Sequence, residues 1–175
     1  MNITTPNPGS QTINYLSPAN LILSGAGALS SASTTAYILP NSLTFQASPT
    51  LGDAINTGAL TFTGLVDLGG SVRTLTLNSA VTFSSIVSSV GGGITKAGPG
   101  VLTLAGANTY GAGTIVNAGG VRVGNNTALG SGALTLNDGV MLSSNSFSGF
   151  GVGDYALSNT ITIGGNVTLL SLIHI

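Results

Sequence analysis

Gly93-Ile-Thr-Lys96-Ala-Gly98-Pro-Gly100-Val-Leu102-Thr-Leu104-Ala-Gly106-Ala-Asn108-Thr-Tyr110-Gly-Ala-Gly113-Thr-Ile-Val116-Asn117-Ala-Gly119-Gly-Val121-Arg-Val123-Gly124 alternates short strands with tight corners. Leu102-Thr-Leu104 and Val121-Arg-Val123 are apolar–polar–apolar, the period of a half-buried strand. Gly98-Pro-Gly100 and Ala118-Gly-Gly120 supply corners, where glycine tolerates backbone angles that other residues avoid. The same unit recurs outward in both directions. It reads Leu21-Ile-Leu23, Leu43-Thr-Phe45, Leu60-Thr-Phe62, Leu75-Thr-Leu77 and Val81-Thr-Phe83 on one side. On the other it reads Leu134-Thr-Leu136, Ile161-Thr-Ile163 and Val167-Thr-Leu169. Ala26–Ala36 and Ser84–Val90 are the least patterned parts, and no segment reads as a helix.

These strands are too short, and their aromatic residues too few, for a β-sandwich of paired hairpins. A parallel β-solenoid fits: short strands of successive coils stack about 4.8 Å apart, with Leu, Val, Ile and Phe inside and Thr, Ser and Asn outside. At roughly 20–25 residues per coil the chain makes about seven to nine coils, a rod on the order of 35–45 Å long. The fold class expected is therefore all-β, an open-ended β-solenoid with residues 1–175 as one unit.

Charge is scarce: only 4% of the 175 residues are Asp, Glu, Lys or Arg. In a stack each side chain lies over its equivalent in the next coil, so repeated like charges would repel at about 5 Å. Thr, Asn and Ser carry no such penalty. The same alphabet excludes several functions. With no Cys there is no thiolate nucleophile, zinc–thiolate centre or iron–sulfur cluster. A net charge of −1 offers no basic field for nucleic acid. No apolar run approaches the roughly 18–20 residues of a membrane helix, and aromatics at 5% are too sparse for the girdles of a membrane barrel. No cofactor is expected.

Residues 93–124 closely resemble the autotransporter-associated β-strand repeat of bacterial type V secretion passenger domains. Ile94 stands for the usual Leu, and Pro99 fills a variable slot. The repeat positions are Lys96, Gly98, Gly100, Leu102, Leu104, Gly106, Asn108, Tyr110, Gly113, Asn117, Gly119 and Gly124. Residues 60–92 and 125–170 are weaker, family-like flanks. The resemblance implies a right-handed β-helix exported to the bacterial surface and anchored through a C-terminal outer-membrane barrel of the same polypeptide. Met1-Asn-Ile-Thr-Thr-Pro has no basic and apolar leader pattern, so a signal is expected upstream and the chain reads as a fragment. Ser171–Ile175 lies outside the strand pattern and resembles the translation of sequencing-adapter read-through, so His174 carries no functional weight.

Candidate chemistry is thin. Asp53, Asp67, Asp138 and Asp154 are spread along the chain; Asp138 sits in an Asn-Asp-Gly turn signal and Asp154 in a loop-like stretch. All four read as turn and surface residues rather than acid/base pairs. Gly149–Leu157 loosely resembles a nonapeptide calcium repeat but occurs once, whereas that chemistry needs stacked copies. Lys96 among glycines lacks the Gly-Lys-Ser/Thr order of a phosphate loop; it is expected to cap turn carbonyls or to pair with an aspartate of a neighbouring coil. Asn108 and Asn117 are expected in amide ladders and Tyr110 over a coil edge. Thr61-Phe-Thr63, Thr74-Leu-Thr76 and Thr160-Ile-Thr162 read as solvent-facing strand threonines. The expected function is a non-catalytic stalk or adhesin segment, meeting a host or neighbouring-cell surface ligand, without nucleic acid or direct membrane insertion. The alternatives are a carbohydrate-active β-helix enzyme, needing two aspartates near a cation in a cleft, and a glycan or ice binder, needing an in-register Thr array.

Overall fold

A computed structural model describes residues 2–3, 11–12, 19–25, 27–144, 155–170 and 173–174. Every regular element among them is a strand, and every pairing is parallel. Three sheets run side by side and the chain visits them in turn. Sheet A stacks Asn2–Ile3, Leu21–Leu23, Leu43–Phe45, Val66–Asp67 and Val87–Ser88. Sheet B stacks Gln11–Thr12, Ala28–Ser30, Thr50–Leu51, Val72–Leu77, Gly93–Ala97, Thr114–Val116, Leu134–Leu136 and Ile161–Ile163. Sheet C stacks Tyr37–Leu39, Leu60–Phe62, Val81–Phe83, Val101–Leu104, Gly120–Val123, Met141–Ser144 and Thr168–Leu170. Tyr155–Ala156 and Ile173–His174 form a further parallel pair. The protein is a parallel β-solenoid.

The register explains why triplets suffice. Val81-Thr-Phe83 pairs with Leu60-Thr-Phe62 on one side and Leu102-Thr-Leu104 on the other, apolar over apolar and Thr over Thr. The middle threonines form one outward column, and the flanking residues two inward ones. Leu60, Phe62, Val81, Phe83, Leu102 and Leu104 are at most 2% exposed. Phe83 meets Phe62 at 5.7 Å and Phe45, from sheet A, at 6.2 Å between ring centroids. These separations suit tilted and edge-on aromatic packing, so the rings join two faces through the middle of the core.

Coil length varies while register holds. The offset is 19 residues at Val101↔Gly120, 21 at Val81↔Leu102 and 27 at Met141↔Thr168. The differences are absorbed in corners, which leaves the strands undisturbed. The last coil described has its core columns uncovered. Ile163 and Leu169, which follow the fully buried Leu136 and Leu142, are 54% and 49% exposed.

Two sequence expectations are adjusted. Ala26–Ala36 and Ser84–Val90, unpatterned in sequence, contain the strands Ala28–Ser30 and Val87–Ser88, because their partners in sheets B and A impose extended backbone. The strand read at Val167-Thr-Leu169 is Thr168–Leu170, one residue later.

Corner glycines are required by crowding between coils as much as by conformation. A Cβ at Gly106 would lie 2.3 Å from the Ser85 carbonyl oxygen of the preceding coil. At Gly139, φ is +74° but the space is open, and at Gly111 the nearest atom is 3.8 Å away. Urea unfolding is therefore expected to rank the alanine variants. Gly106→Ala should cost about 2 kcal/mol or more, Gly139→Ala about 1 kcal/mol, and Gly111→Ala within about 0.5 kcal/mol of zero. Equal costs at Gly106 and Gly111 would contradict this coil packing.

Candidate functional site

Lys96 stands in an inward column, between Leu75 below and Val116 above, with Leu136 and Ile163 beyond. It is fully buried. Its Nζ donates to the carbonyls of Ala97 (2.9 Å), Gly98 (2.7 Å) and Ala118 (3.0 Å). Three donors meet three acceptors, which is how a buried ammonium is tolerated. Gly98 and Gly119 adopt left-handed φ of +77° and +69°, turning the corner carbonyls toward that ammonium. The side chain thus ties its own corner to the next coil's. Of the two roles expected for Lys96, carbonyl capping is the one observed; the acceptors are backbone oxygens rather than an aspartate. Burial lowers its pKa from 10.5 to about 8.

Asn108 replaces a missing strand. Sheet A stops at Val87–Ser88, so the Val87 N–H would face no backbone partner of the ladder type. The Asn108 side chain accepts that N–H at 2.7 Å and donates through Nδ2 to the Ala128 carbonyl of the following coil. One buried amide therefore bonds the coil below and the coil above. The Thr109 N–H adds a bond to the Val87 carbonyl at 3.0 Å. Two residues on, Tyr110 is wholly buried, and its hydroxyl meets the Thr114 Oγ1 at 2.7 Å. The expectation that Tyr110 covers a coil edge is thus corrected: the ring faces the core, because the short corner pulls it inward and Thr114 satisfies its hydroxyl. Burial pushes its pKa well above the usual tyrosine value, opposed in part by the Thr114 contact.

The remaining repeat positions fall into groups. Leu102 and Leu104 are core. Gly113 joins Gly98 and Gly119 in the left-handed region. Gly100, Gly106 and Gly124 lie against the preceding coil, where a Cβ would meet Ser79, Ser85 or Ala105 at 2.9 Å or less. Asn117 forms an amide ladder, accepting from Asn137 Nδ2 at 2.6 Å, but outside the core. Asn108 and Asn117 thus serve different ladders, one buried and one exposed.

The described aspartates accept backbone N–H groups, Asp53 and Asp67 within their own turns and Asp138 from the next coil. Asp53 accepts the Ile55 and Asn56 N–H groups and the Asn56 amide, and these with the Ser30 hydroxyl hold its carboxyl below the usual range. Asp67 accepts the Gly69 N–H at 2.8 Å, and Asp138 the Asn166 N–H at 2.7 Å. Asp154 lies outside the described residues, as does the calcium-like stretch Gly149–Leu157 except for Tyr155–Leu157; only the backbone of His174 is described. Arg73, like Lys96, bonds corner carbonyls: Leu68 at 2.7 Å, Gln46 at 3.0 Å and Gly69 at 3.3 Å. Among the described residues no three His, Cys, Asp or Glu side chains are grouped to hold a metal ion.

An open cleft of about 720 Å³ runs across the corners after sheet A, lined by Asp67, Gly70, Ser88, Val90, Thr109 and Gly111 among others. Val90 beside it is 97% exposed. The threonines form single columns rather than a broad array. On sheet B, Thr74 continues into Thr95, Ile115, Thr135 and Thr162, whereas Thr76 continues into Ala97. On sheet C, Thr61, Thr82 and Thr103 are in register and give way to Arg122. Lys96, Asn108 and Tyr110 were legible as repeat residues; the cleft was not, because it is made by corners three coils deep.

Comparison with known proteins adds three findings. Residues 94–123 match the model of the passenger-associated transport repeat. The chain is similar to an adhesin, the BmaC autotransporter of Brucella suis biovar 1 (strain 1330), 42% identical over 69 residues, covering 35% of this chain and 2% of that protein. No solved structure matches the chain.

The buried pair gives stability a pH signature. Between pH 8 and 10.5 unfolded Lys96 keeps a proton that the folded state releases, so stability is expected to rise with pH there, by about 3 kcal/mol at most. Above pH 10 the folded state keeps the Tyr110 proton that the unfolded state loses, so stability falls. Urea unfolding across this range should show the rise vanish in Lys96→Met and the fall vanish in Tyr110→Phe. Unchanged profiles in both variants would contradict these assignments.

Proposed function

From a chain that carries an autotransporter passenger repeat, we propose that residues 1–175 form a non-catalytic shaft segment displayed outside the bacterial cell, whose outward faces make adhesive contacts. One observation carries this reading: Asp53, Asp67 and Asp138 sit on separate corners, the first two capping their own turns and Asp138 accepting the Asn166 N–H of the next coil. Lys96 and Arg73 are likewise bound to backbone carbonyls. These five charged groups are thus each engaged with backbone groups that hold the stack together. The name of the similar adhesin supports the same direction. Secretion to the surface would place the rod there, with a C-terminal barrel of the same polypeptide as anchor and a ligand on a host or neighbouring cell as partner.

A shaft works by geometry. Each coil adds a fixed rise, a set of backbone bonds and a slice of core, and no single coil is indispensable. Residues 60–80 form one complete coil, since Leu60 and Val81 are register equivalents. Removing residues 60–80 joins Ala59 to Val81 and deletes Asp67 and Arg73 with one strand of each sheet. The shortened chain is expected to fold, to unfold cooperatively, and to support adhesion when displayed on cells. The intact chain is expected to release no new reducing or unsaturated ends from acidic or neutral polysaccharides. Polysaccharide cleavage that is lost in Asp67→Asn would overturn the proposal in favour of a carbohydrate-active enzyme.

A further inference from the structure

Asp138 is the one aspartate of the chain followed by glycine, and no asparagine is followed by glycine. That order carries an intrinsic chemistry. The Gly139 nitrogen can attack the Asp138 side-chain carboxyl carbon and close a cyclic imide, and glycine puts no Cβ in the way. At Asp53 and Asp67 the next residues are Ala54 and Leu68, whose side chains obstruct the same approach. The corner itself is accessible. Asp138 and Gly139 are exposed. Gly139 has φ of +74° and nothing within 4 Å of where a Cβ would stand.

The next coil holds both reacting groups. The Asn166 N–H donates to Asp138 Oδ1 at 2.7 Å, and the Asn166 carbonyl accepts the Gly139 N–H at 2.8 Å. Ring closure brings the carboxyl carbon over the face of the Gly139 peptide plane. The carboxyl must therefore release the Asn166 N–H, and the plane must turn out of its bond to the Asn166 carbonyl. Gly165 leaves room for this clamp, since a Cβ there would lie 2.6 Å from Asp138 Oδ1. Ladder bonds fasten it on both sides: Gly164 N–H to the Leu136 carbonyl at 2.7 Å, and Thr168 N–H to the Val140 carbonyl at 2.9 Å. The clamp lasts only while that coil stays stacked. Its residues Ile163 and Leu169 are 54% and 49% exposed, so it is held by less buried apolar surface than the coils beneath it. Such a unit opens locally at a lower free energy than the whole fold.

We propose that Asp138–Gly139 is a site of spontaneous isoaspartate formation gated by the coil that carries Asn166, closed while that coil is stacked and reactive when it lifts. In the first step the bond from the Gly139 nitrogen to the Asp138 side-chain carbonyl carbon forms. The carboxyl C–OH bond breaks, and the hydroxyl leaves with the amide proton as water. In the second step water adds to the backbone carbonyl carbon of the imide, and the original peptide bond breaks with its electron pair returning to nitrogen. Gly139 is then joined through the Asp138 side chain. Water is the only co-reactant, and nothing is oxidised or reduced. The backbone gains a carbon between Leu134–Leu136 and Met141–Ser144, so Leu136 and Leu142 lose their common register with Ile163 and Leu169. The modified corner cannot re-form the clamp, and the opening becomes permanent.

The test is prolonged warm incubation of the full chain at neutral pH, folded in buffer and unfolded in guanidinium chloride. Isoaspartate at residue 138 is read by electron-transfer fragmentation of the mapped peptide, which separates it from aspartate of equal mass. It is expected to accumulate about tenfold or more slowly in the folded chain, because the rate follows the population of the lifted coil. Asn166→Pro deletes the N–H donated to Asp138, and Gly165→Ala crowds the carboxyl without deleting a donor. Each should raise the folded rate severalfold, and Asp138→Glu, which closes the larger ring poorly, should abolish the modification. Hydrogen exchange at Val140 and Leu142 tells a released clamp from a lifted coil; faster modification by either route supports the gate. Equal rates in the folded and unfolded chain, or a folded rate unchanged in both Asn166→Pro and Gly165→Ala, would overturn the proposal.

Discussion

Parallel stacking in register is the constraint from which the rest follows. Each residue lies about 4.8 Å from its counterpart in the next coil, so a side chain repeated along the rod must tolerate its own image. Val81, Leu60 and Leu102 do so by packing, and Thr61, Thr82 and Thr103 by sharing one outward column. Charge does not tolerate it, and charge is accordingly rare. Where a cation is used, as at Lys96, it occurs once in its column, between Leu75 and Val116, and is neutralised by backbone dipoles.

The second demand is that every break in a ladder be repaired. Sheet A ends while sheets B and C continue. Backbone groups left there would be costly if buried without partners. Asn108 supplies the repair because its amide can accept on one side and donate on the other, matching the polarity of the coils above and below. Tyr110, two residues on, is buried in the core, with Thr114 completing its hydrogen bonding. The hydrogen bonding of a strand is thus carried by side chains in a shorter coil, and coil length falls to 19 residues without loss of register.

The sequence was most legible where local pattern and stacking agree. The Leu-Thr-Leu and Leu-Thr-Phe triplets are strands in the structure because alternation alone assigns their two faces. Two-residue strands such as Val66–Asp67 and Val87–Ser88 are too short to carry a period and exist because neighbouring coils extend them. Lys96 was legible as a turn cap from its glycine neighbours, yet its inward direction depends on which carbonyls the next corner presents. Tyr110 was placed on an edge, and the structure buries it; a tyrosine in a Gly-rich corner has no periodicity to reveal its face. The cleft beside Asp67 and Thr109 depends on corners from successive coils, and one coil's sequence holds no trace of it.

The most direct test of the stacked register is a distance along one column. Thr74 and Thr162 are exposed and lie four rungs apart on sheet B, through Thr95, Ile115 and Thr135. The chain has no native cysteine, so Thr74→Cys and Thr162→Cys accept spin labels specifically. Dipolar electron paramagnetic resonance should give a narrow distribution centred near four strand spacings, about 19 Å, broadened only by the label arms. A broad distribution, or a mean well beyond about 30 Å, would contradict a parallel stack in this register.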